Sequence, residues 1–235
     1  MIFRLDDNEI WFPDPKDGEP DGLIAVGGDL STDRLILAYH HGIFPWYAFH
    51  KEAYGYKKKS EILIQWWCPL DRFVIFPNEI HVSHSMRTLI NKNTYKVSIN
   101  QDFDGVIENC SALRSKEIYA WLGSDMVSAY KQLSKLGHAL SVEVWDLEEN
   151  LVGGLYGVLT EHVFCGESMF SLKPSASKLA LIYLSQVLIE NDIALIDCQF
   201  ETPHLLSMGG RHITYEEYMQ YMTGEKSVDF EKSVN

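Results

Sequence analysis

Two short apolar segments that end in polar residues, joined by one long helix, constrain this chain more than any other feature. Ile193-Ala194-Leu195-Ile196 is an apolar run of the kind a strand needs when both of its faces are covered, and it ends in Asp197-Cys198-Gln199. Earlier, Phe164-Cys165-Gly166-Glu167-Ser168-Met169-Phe170 also carries polar groups at the end of an apolar strand. Between the two, Pro174 and Ser175 open a helical run in which Leu181, Leu184 and Leu188 recur at steps of three and four residues, and Asn191 closes it. The unit is strand, helix, strand, and in an open α/β sheet ligands sit at the carboxyl ends of the strands. Residues two apart share one side of a strand, so Asp197 and Gln199 are expected to point into the same space. An acid at a strand end can also do no more than cap the helix that follows.

At 235 residues the chain can bury a substantial core, and two units are expected, a small one over residues 1–60 and a larger one over 61–235. A formal net charge of −13 argues against broad electrostatic coating of a nucleic acid, though not against a local basic face. Such a face is offered between Arg72 and Ile99, where Arg72, Arg87, Lys92 and Lys96 stand against the single acid Glu79. A solvated surface is the alternative. The four cysteines (Cys68, Cys110, Cys165, Cys198) are far apart and form no C-x-x-C pair, which fits a reducing cytoplasm rather than a zinc cluster or a disulfide framework. His81 and His84 alone make no metal site. The amino terminus lacks a basic segment followed by a long apolar one, and no run reaches membrane-spanning length, so a soluble, unexported protein with no membrane contact is expected.

Pro13 to Asp29 is dense in Pro, Gly and acid and reads as loop and turn. A helix is expected from Asp33 to His41, stopped by Gly42, and then a stiff aromatic corner at Phe44-Pro45-Trp46-Tyr47, which serves either packing or stacking. The polar stretch Tyr54 to Lys59 places the boundary near Ser60, and Trp66-Trp67-Cys68-Pro69 and Phe73 to Pro77 open the larger unit as strand-like segments. A helix starting at Ser83, a strand from Tyr95 to Ile99, a helix capped by Asp102 and another capped by Ser124 follow. Three strands come next, over 140–145, 151–159 and 163–169, and the glycines Gly153, Gly154 and Gly157 point to a bulge or to a backbone that something approaches closely. A short helix near Leu205 and a last helix from Thr214 to Met222 close the chain.

This order resembles the GNAT acyltransferase topology, which implies an α+β fold with a mainly antiparallel sheet and suggests acyl transfer by analogy. GNAT enzymes hold the pyrophosphate of coenzyme A on a glycine-rich turn ahead of a helix, where backbone N–H groups face the phosphates. The corresponding turn here, Ser171-Leu172-Lys173-Pro174-Ser175-Ala176-Ser177, has no glycine, and its proline has no N–H to give. An acyl donor other than a coenzyme A thioester is favoured.

A more specific resemblance rests on long motifs: Gly-Gly-Asp-Leu (27–30), Gly-Ile-Phe-Pro-Trp (42–46), Trp-Trp-Cys-Pro (66–69), Gly-His-Ala-Leu-Ser-Val-Glu-Val-Trp (137–145), Leu-Val-Gly-Gly-Leu-Tyr-Gly (151–157), Phe-Cys-Gly-Glu-Ser-Met-Phe-Ser (164–171) and Ile-Asp-Cys-Gln (196–199). Together they resemble the bacterial leucyl/phenylalanyl-tRNA–protein transferases, from about Phe12 to Tyr218. That family moves leucine or phenylalanine, and less efficiently methionine, from aminoacyl-tRNA to proteins that begin with arginine or lysine, which marks them for N-end rule degradation. The resemblance implies a cytoplasmic, monomeric enzyme with no cofactor and no metal. It assigns catalysis to Asp197 with Gln199, and to Glu167 a part in chemistry or in acceptor recognition. Leu155, Phe164, Leu181, Leu184 and Ile196 match the apolar donor pocket, with Gly166 and Ser168 beside it. Trp46 and Trp121 match the aromatics that hold the terminal adenine, and His84, Arg87 and Lys92 fall on the tRNA-facing surface. His84 and Asn91 replace the usual basic residues, which shifts phosphate contact toward Arg87 and Lys92.

The donor ester is already activated, so the enzyme has to supply a neutral amine, orientation and stabilisation of the oxyanion. A peptide α-amino group has a pKa of about 7.7–8, so one hydrogen bond to a carboxylate suffices near neutral pH. Cys165 and Cys198 read as packing rather than as nucleophiles. Two other classes compete. A coenzyme A-dependent N-acetyltransferase would share the fold, and a non-catalytic tRNA-binding module would need the aromatics and the basic patch but not Asp197, Gln199 and Glu167.

Overall fold

Leu23 to Gly27 is bracketed by glycines in left-handed backbone, Gly22 (φ +96°) on one side and Gly27 and Gly28 (φ +90° and +68°) on the other, and between them lies a short, nearly buried strand. The computed structural model describes residues 1–46, 64–114, 122–228 and 230. In it, β1 (Phe3–Leu5), β2 (Leu23–Gly27), β3 (Phe44–Trp46) and β4 (Gln65–Trp67) form a four-stranded sheet in the order β1-β2-β4-β3. β1 lies parallel to β2 and the other pairings are antiparallel. The stretch expected to be loop from Pro13 to Asp29 thus contains a central strand. Its turn residues sit at the ends of that strand, and a five-residue apolar run is too short to assert itself among them. β4, expected to open the larger unit, pairs in this small sheet, while the boundary placed near Ser60 lies outside the described residues.

α1 (Thr32–His40) is started by Ser31, whose side chain accepts from the Arg34 amide, and it packs the small sheet. Arg34 is fully buried, and its Nη2 donates to the carbonyls of Asp6 (2.7 Å) and Glu9 (3.0 Å), which ties down the amino-terminal segment.

The second sheet has seven strands: β5 (Asp71–Ile75), β6 (Lys96–Ile99), β7 (Ala139–Trp145), β8 (Leu151–Leu159), β9 (Val163–Ser171), β10 (Leu195–Gln199) and β11 (Arg211–Thr214). Their order is β11-β5-β10-β9-β8-β7-β6. β9 and β10 pair in parallel, joined by the crossover helix α5 (Ala176–Glu190), and every other neighbour pair in this sheet is antiparallel. Side chains alternate across β8: Tyr156 and Val158 face the cluster formed with α3 (Phe103–Arg114) and α4 (Ser124–Lys135), whereas Leu155 faces the cluster formed with α5. The fold is a mixed α/β structure in which helices cover both faces of the large sheet. α2 (His84–Asn91), α6 (Pro203–Ser207) and α7 (Tyr215–Met222) complete it.

The caps follow the sequence in three places. Asp102 Oδ1 accepts from the Gly105 amide at 2.9 Å, Ser83 caps α2 and Thr214 caps α7. At α4 the capping position belongs to Gly123, and the Ser124 hydroxyl turns to Asp125 instead.

A β-carbon at Gly157 would stand 2.2 Å from the Cys165 carbonyl oxygen and 2.5 Å from the Phe164 ring. Both obstacles are fixed within the sheet, so Gly157→Ala is expected to destabilise the fold by about 1–3 kcal/mol, as overpacking of a tight core does. Urea unfolding measures this, and an unchanged midpoint would show that β8 and β9 can separate locally at no cost.

Candidate active site

The parallel pairing of β9 and β10 runs through Leu195 with Val163, Ile196 with Phe164 and Asp197 with Cys165, and ends there. Just beyond that point each strand carries an extra residue. On β9, Gly166 stands opposite Gly157 and Ser168 opposite Tyr156, which leaves Glu167 without a cross-strand counterpart. On β10, Asp197 stands opposite Val74 and Gln199 opposite Phe73, which leaves Cys198 over. A bulge bends its strand and re-aims the side chains around it, and here two bulges face each other where two parallel strands part. The opening is a cavity of about 510 Å³. Leu155, Phe164, Met169, Leu181, Ile196 and Leu205 give it an apolar wall, and Phe44, Pro45, Trp46 and Phe200 an aromatic rim. Glu167, Ser168, Gln199, Thr202 and His204 supply its polar groups.

Asp197 and Gln199 do not share one space. Gln199 lines the cavity with left-handed backbone (φ +59°), whereas Asp197 is only 1% exposed and is not part of the lining. The bulge between them breaks the two-residue alternation on which the expectation rested. Asp197 Oδ1 accepts the Gln199 N–H at 2.9 Å and lies 3.1 Å from Arg72 Nε, while Oδ2 accepts the Tyr218 hydroxyl at 3.0 Å. Arg72 is as deeply buried, donates to the Gly42 carbonyl, and stacks 4.6 Å over the Tyr218 ring and 5.5 Å over Phe44. Burial alone would lower the Arg72 pKa, but the Asp197 carboxylate carries it above its usual value. The carboxylate thus holds the backbone that aims Gln199, and the arginine binds this arrangement to the small unit.

Glu167 Oε1 lies 2.6 Å from the Tyr39 hydroxyl and Oε2 2.7 Å from the Tyr130 hydroxyl, and the two phenol oxygens are 2.7 Å from each other. Burial pushes the Glu167 carboxyl up to about 7, against the two tyrosine hydrogen bonds that lower it; Asp197 raises it further and Arg72 lowers it. Burial also raises the Cys165 and Cys198 thiols, which keeps both protonated and makes them poor nucleophiles. Tyr39 of α1 and Tyr130 of α4 were not among the residues expected at the site. The available signal was a hydroxyl on an otherwise apolar helix face, where a buried phenol requires a partner.

Among the other expected site residues, Leu155, Phe164, Gly166, Ser168, Leu181, Ile196 and Trp46 line the cavity. Leu184 is fully buried in the core behind it. The Trp46 ring centroid lies 5.6 Å from that of Phe200 and 5.8 Å from that of Trp67. Trp121 lies outside the described residues. His84, Arg87 and Lys92 are exposed on and just after α2. At the turn before α5, Ser175 adopts left-handed backbone (φ +66°) and gives no side-chain cap, and Lys173 is engaged by Asp146 at 2.7 Å.

This architecture can be set against known proteins. The family model for leucyl/phenylalanyl-tRNA protein transferase matches residues 74–223, and the model for its N-terminal domain matches residues 28–70. The chain is 45% identical over 215 residues to a leucyl/phenylalanyl-tRNA–protein transferase of Flavobacterium psychrophilum, covering 91% of this chain and 96% of that protein. A transferase of the same name from Syntrophobacter fumaroxidans is 46% identical over 219 residues (93% of this chain, 88% of that protein). Another from Psychromonas ingrahamii is 42% identical over 233 residues (98% and 93%). The two matched models meet at the junction of the two sheets and together take in the strands that build the cavity, and relatives of this name are 42–46% identical over most of the chain, so the chain belongs to the leucyl/phenylalanyl-tRNA–protein transferase family.

Proposed function

We propose that this protein transfers leucine or phenylalanine, and less efficiently methionine, from aminoacyl-tRNA to the α-amino group of proteins that begin with arginine or lysine, marking them for N-end rule degradation. One observation carries the reading: a cavity with an apolar wall opens directly onto Gln199 and Glu167, in a chain of this family. In this reading the larger unit is a GNAT-like acyltransferase domain preceded by a small N-terminal domain, and the protein works as a cytoplasmic monomer. Among the described residues no helix is long and apolar enough to cross a membrane.

The donor's side chain would sit against Leu155, Phe164, Leu181 and Ile196, with its ester carbonyl at the polar mouth. The acceptor nitrogen attacks that carbonyl carbon, the ester C–O bond to the ribose breaks, and the proton leaving nitrogen ends on the ribose oxygen. Gln199 would accept an N–H of the attacking amine through its side-chain carbonyl, so that the nitrogen lone pair faces the ester. Asp197 acts through Gln199, as a positioning residue. Glu167 would receive the acceptor's cationic side chain, which a protein of net charge −13 also attracts at long range. Binding holds the reactants in attack geometry, and an activated ester requires no covalent enzyme intermediate.

The terminal adenosine would stack on Trp46 and Trp121 at the junction of the two units, with Arg87 and Lys92 holding acceptor-stem phosphates. Stacking contributes about 1–3 kcal/mol per base, so Trp46→Ala is expected to raise KM for leucyl-tRNA about tenfold or more while leaving kcat nearly unchanged. An unaltered KM would remove Trp46 from the nucleotide site. The turn ahead of α5, with Pro174 and an engaged Lys173, offers coenzyme A no run of free N–H groups, which disfavours an N-acetyltransferase.

The donor pocket supplies the experiment. One methylene in an apolar pocket is worth about 1–3 kcal/mol, so leucyl-, phenylalanyl- and methionyl-tRNA should all donate, whereas the β-branched valyl and isoleucyl esters should fit poorly. Isoleucyl-tRNA as good as leucyl-tRNA in single-turnover transfer would show that this cavity does not hold the donor side chain.

A further inference from the structure

We infer that Glu167, Tyr39 and Tyr130 form a closed three-proton ring that keeps Glu167 neutral in the resting protein, so that docking of a cationic acceptor side chain there expels one proton. The inference rests on the acceptor role proposed above for Glu167 and adds the protonation state and the coupling. The ring consists of three oxygen–oxygen contacts, Tyr39 to Glu167 at 2.6 Å, Tyr130 to Glu167 at 2.7 Å and Tyr39 to Tyr130 at 2.7 Å. Contacts of that length between oxygens are hydrogen bonds and need one proton each. The two phenols supply two protons, and the carboxyl must supply the third. If Glu167 were ionised, both phenol protons would turn to the carboxylate and leave the two phenol oxygens 2.7 Å apart with only lone pairs between them. With Glu167 protonated, each of the three groups donates once and accepts once, the carboxyl donating through one oxygen and accepting through the other.

The surroundings agree with this count. Tyr39 is 2% exposed and Tyr130 fully buried, and burial first, then the Glu167 charge, pushes both phenols well above their usual range, so they remain donors. On the strands packed against the ring, Asp197 of β10 opposes charge on Glu167 and Arg72 of β5 favours it, while Cys165 of β9 is held neutral by burial. Tyr156 of β8 packs its ring 5.4 Å from that of Tyr130. With the carboxyl pushed up to about 7, the neutral ring predominates in mildly acidic solution. A guanidinium or ammonium arriving at the cavity side of Glu167 replaces the proton's charge with its own. The carboxyl O–H bond then breaks, the proton passes to solvent, and the total charge of the site is unchanged. Tyr39 and Tyr130 are positioning residues for this exchange, and they come from two helices, α1 of the small unit and α4 of the large one.

Glutamine is the isostere of the protonated state: its amide donates to one phenol and its carbonyl accepts from the other, which completes the ring with no proton to lose. A carboxyl raised from its ordinary 4.5 to about 7 in the fold withdraws stability as pH rises from the lower value to the higher, and Glu167→Gln should abolish that slope. The test combines infrared spectroscopy of the ligand-free protein with calorimetry in two buffers of different ionisation heat. The calorimetric probe is a peptide whose first residue is arginine without its α-amino group, so that the probe itself releases no proton. The expected infrared result is a protonated-carboxyl carbonyl band at mildly acid pH that fades as pH rises through about 7. The band should be absent from Glu167→Gln, and its midpoint should be displaced in Tyr39→Phe and Tyr130→Phe. Binding of the probe at mildly acid pH should release close to one proton per peptide in the wild type and none in Glu167→Gln. No Glu167-dependent band, or a midpoint that neither tyrosine variant moves, overturns the ring. A band with the expected midpoint but no proton release on binding leaves the ring standing, and overturns both the coupling and the acceptor role on which it rests.

Discussion

Arg72→Met is expected to destabilise the fold by about 3–5 kcal/mol, the range found when one partner of a buried ion pair is removed and the other remains. Arg72 and Asp197 are each only 1% exposed, and with the guanidinium gone the carboxylate keeps, among the described residues, the Tyr218 hydroxyl and the Gln199 amide. The arginine also bridges the units, since it donates to Gly42 and stacks on Phe44 and Tyr218. The double variant Arg72→Met, Asp197→Asn removes both charges, and an asparagine carbonyl still accepts from the Gln199 amide. It should therefore recover a large part of the lost stability, because replacing a buried pair as a whole is often close to neutral. Urea unfolding of the two single variants and the double one measures the coupling. Additive losses would show that the pair does not act as a unit.

Gln199→Ala is expected to lower single-turnover transfer about a hundredfold or more, the scale of a lost acid–base contact, with leucyl-tRNA binding and unfolding midpoint unchanged. Gln199 lines the cavity, where its side chain faces the substrates, so its loss is felt in the chemistry. Asp197→Asn should lose transfer to a similar degree, but through a different route: it leaves the buried Arg72 charge without its partner, and the ion pair that fixes the side chain holding the Gln199 amide is gone, so the rate loss comes with a stability loss. The two variants together separate the group that meets the amine from the group that positions it. Full transfer by Gln199→Ala would remove its carbonyl from the mechanism.

The strand, helix, strand frame was legible because apolar runs and three- and four-residue leucine steps are local signals, and α5 and β10 arise where those signals lie. The polar strand ends were legible for the same reason. Their directions were not. Reading Asp197 and Gln199 as neighbours on one face assumes an unbroken two-residue period, and Cys198 interrupts it in a way that no local pattern announces. Glu167 gains its place from the same kind of break on β9. The partner of Asp197 could not be read from sequence at all, since Arg72 is distant in the chain and looked like one member of a basic patch. Tyr39 and Tyr130 were visible as helix residues, but which carboxylate their hydroxyls would meet depends on how three elements pack. β2 was hidden by its own flanking glycines, whose left-handed turns look the same whether or not a strand lies between them.

The most direct measurement incubates the purified protein with leucyl-tRNA and with peptides that differ only in a first residue of Arg, Lys, Gln or Ala, and follows the mass of each peptide. The predicted result is the gain of one leucyl residue at the amino terminus of the Arg- and Lys-peptides, at rates well above those for Gln and Ala, with no gain when free leucine replaces leucyl-tRNA. Equal rates for all four peptides would contradict acceptor recognition by a carboxylate. No transfer to any peptide, with leucyl-tRNA bound normally, would contradict the assignment of this cavity as an aminoacyl-transfer site.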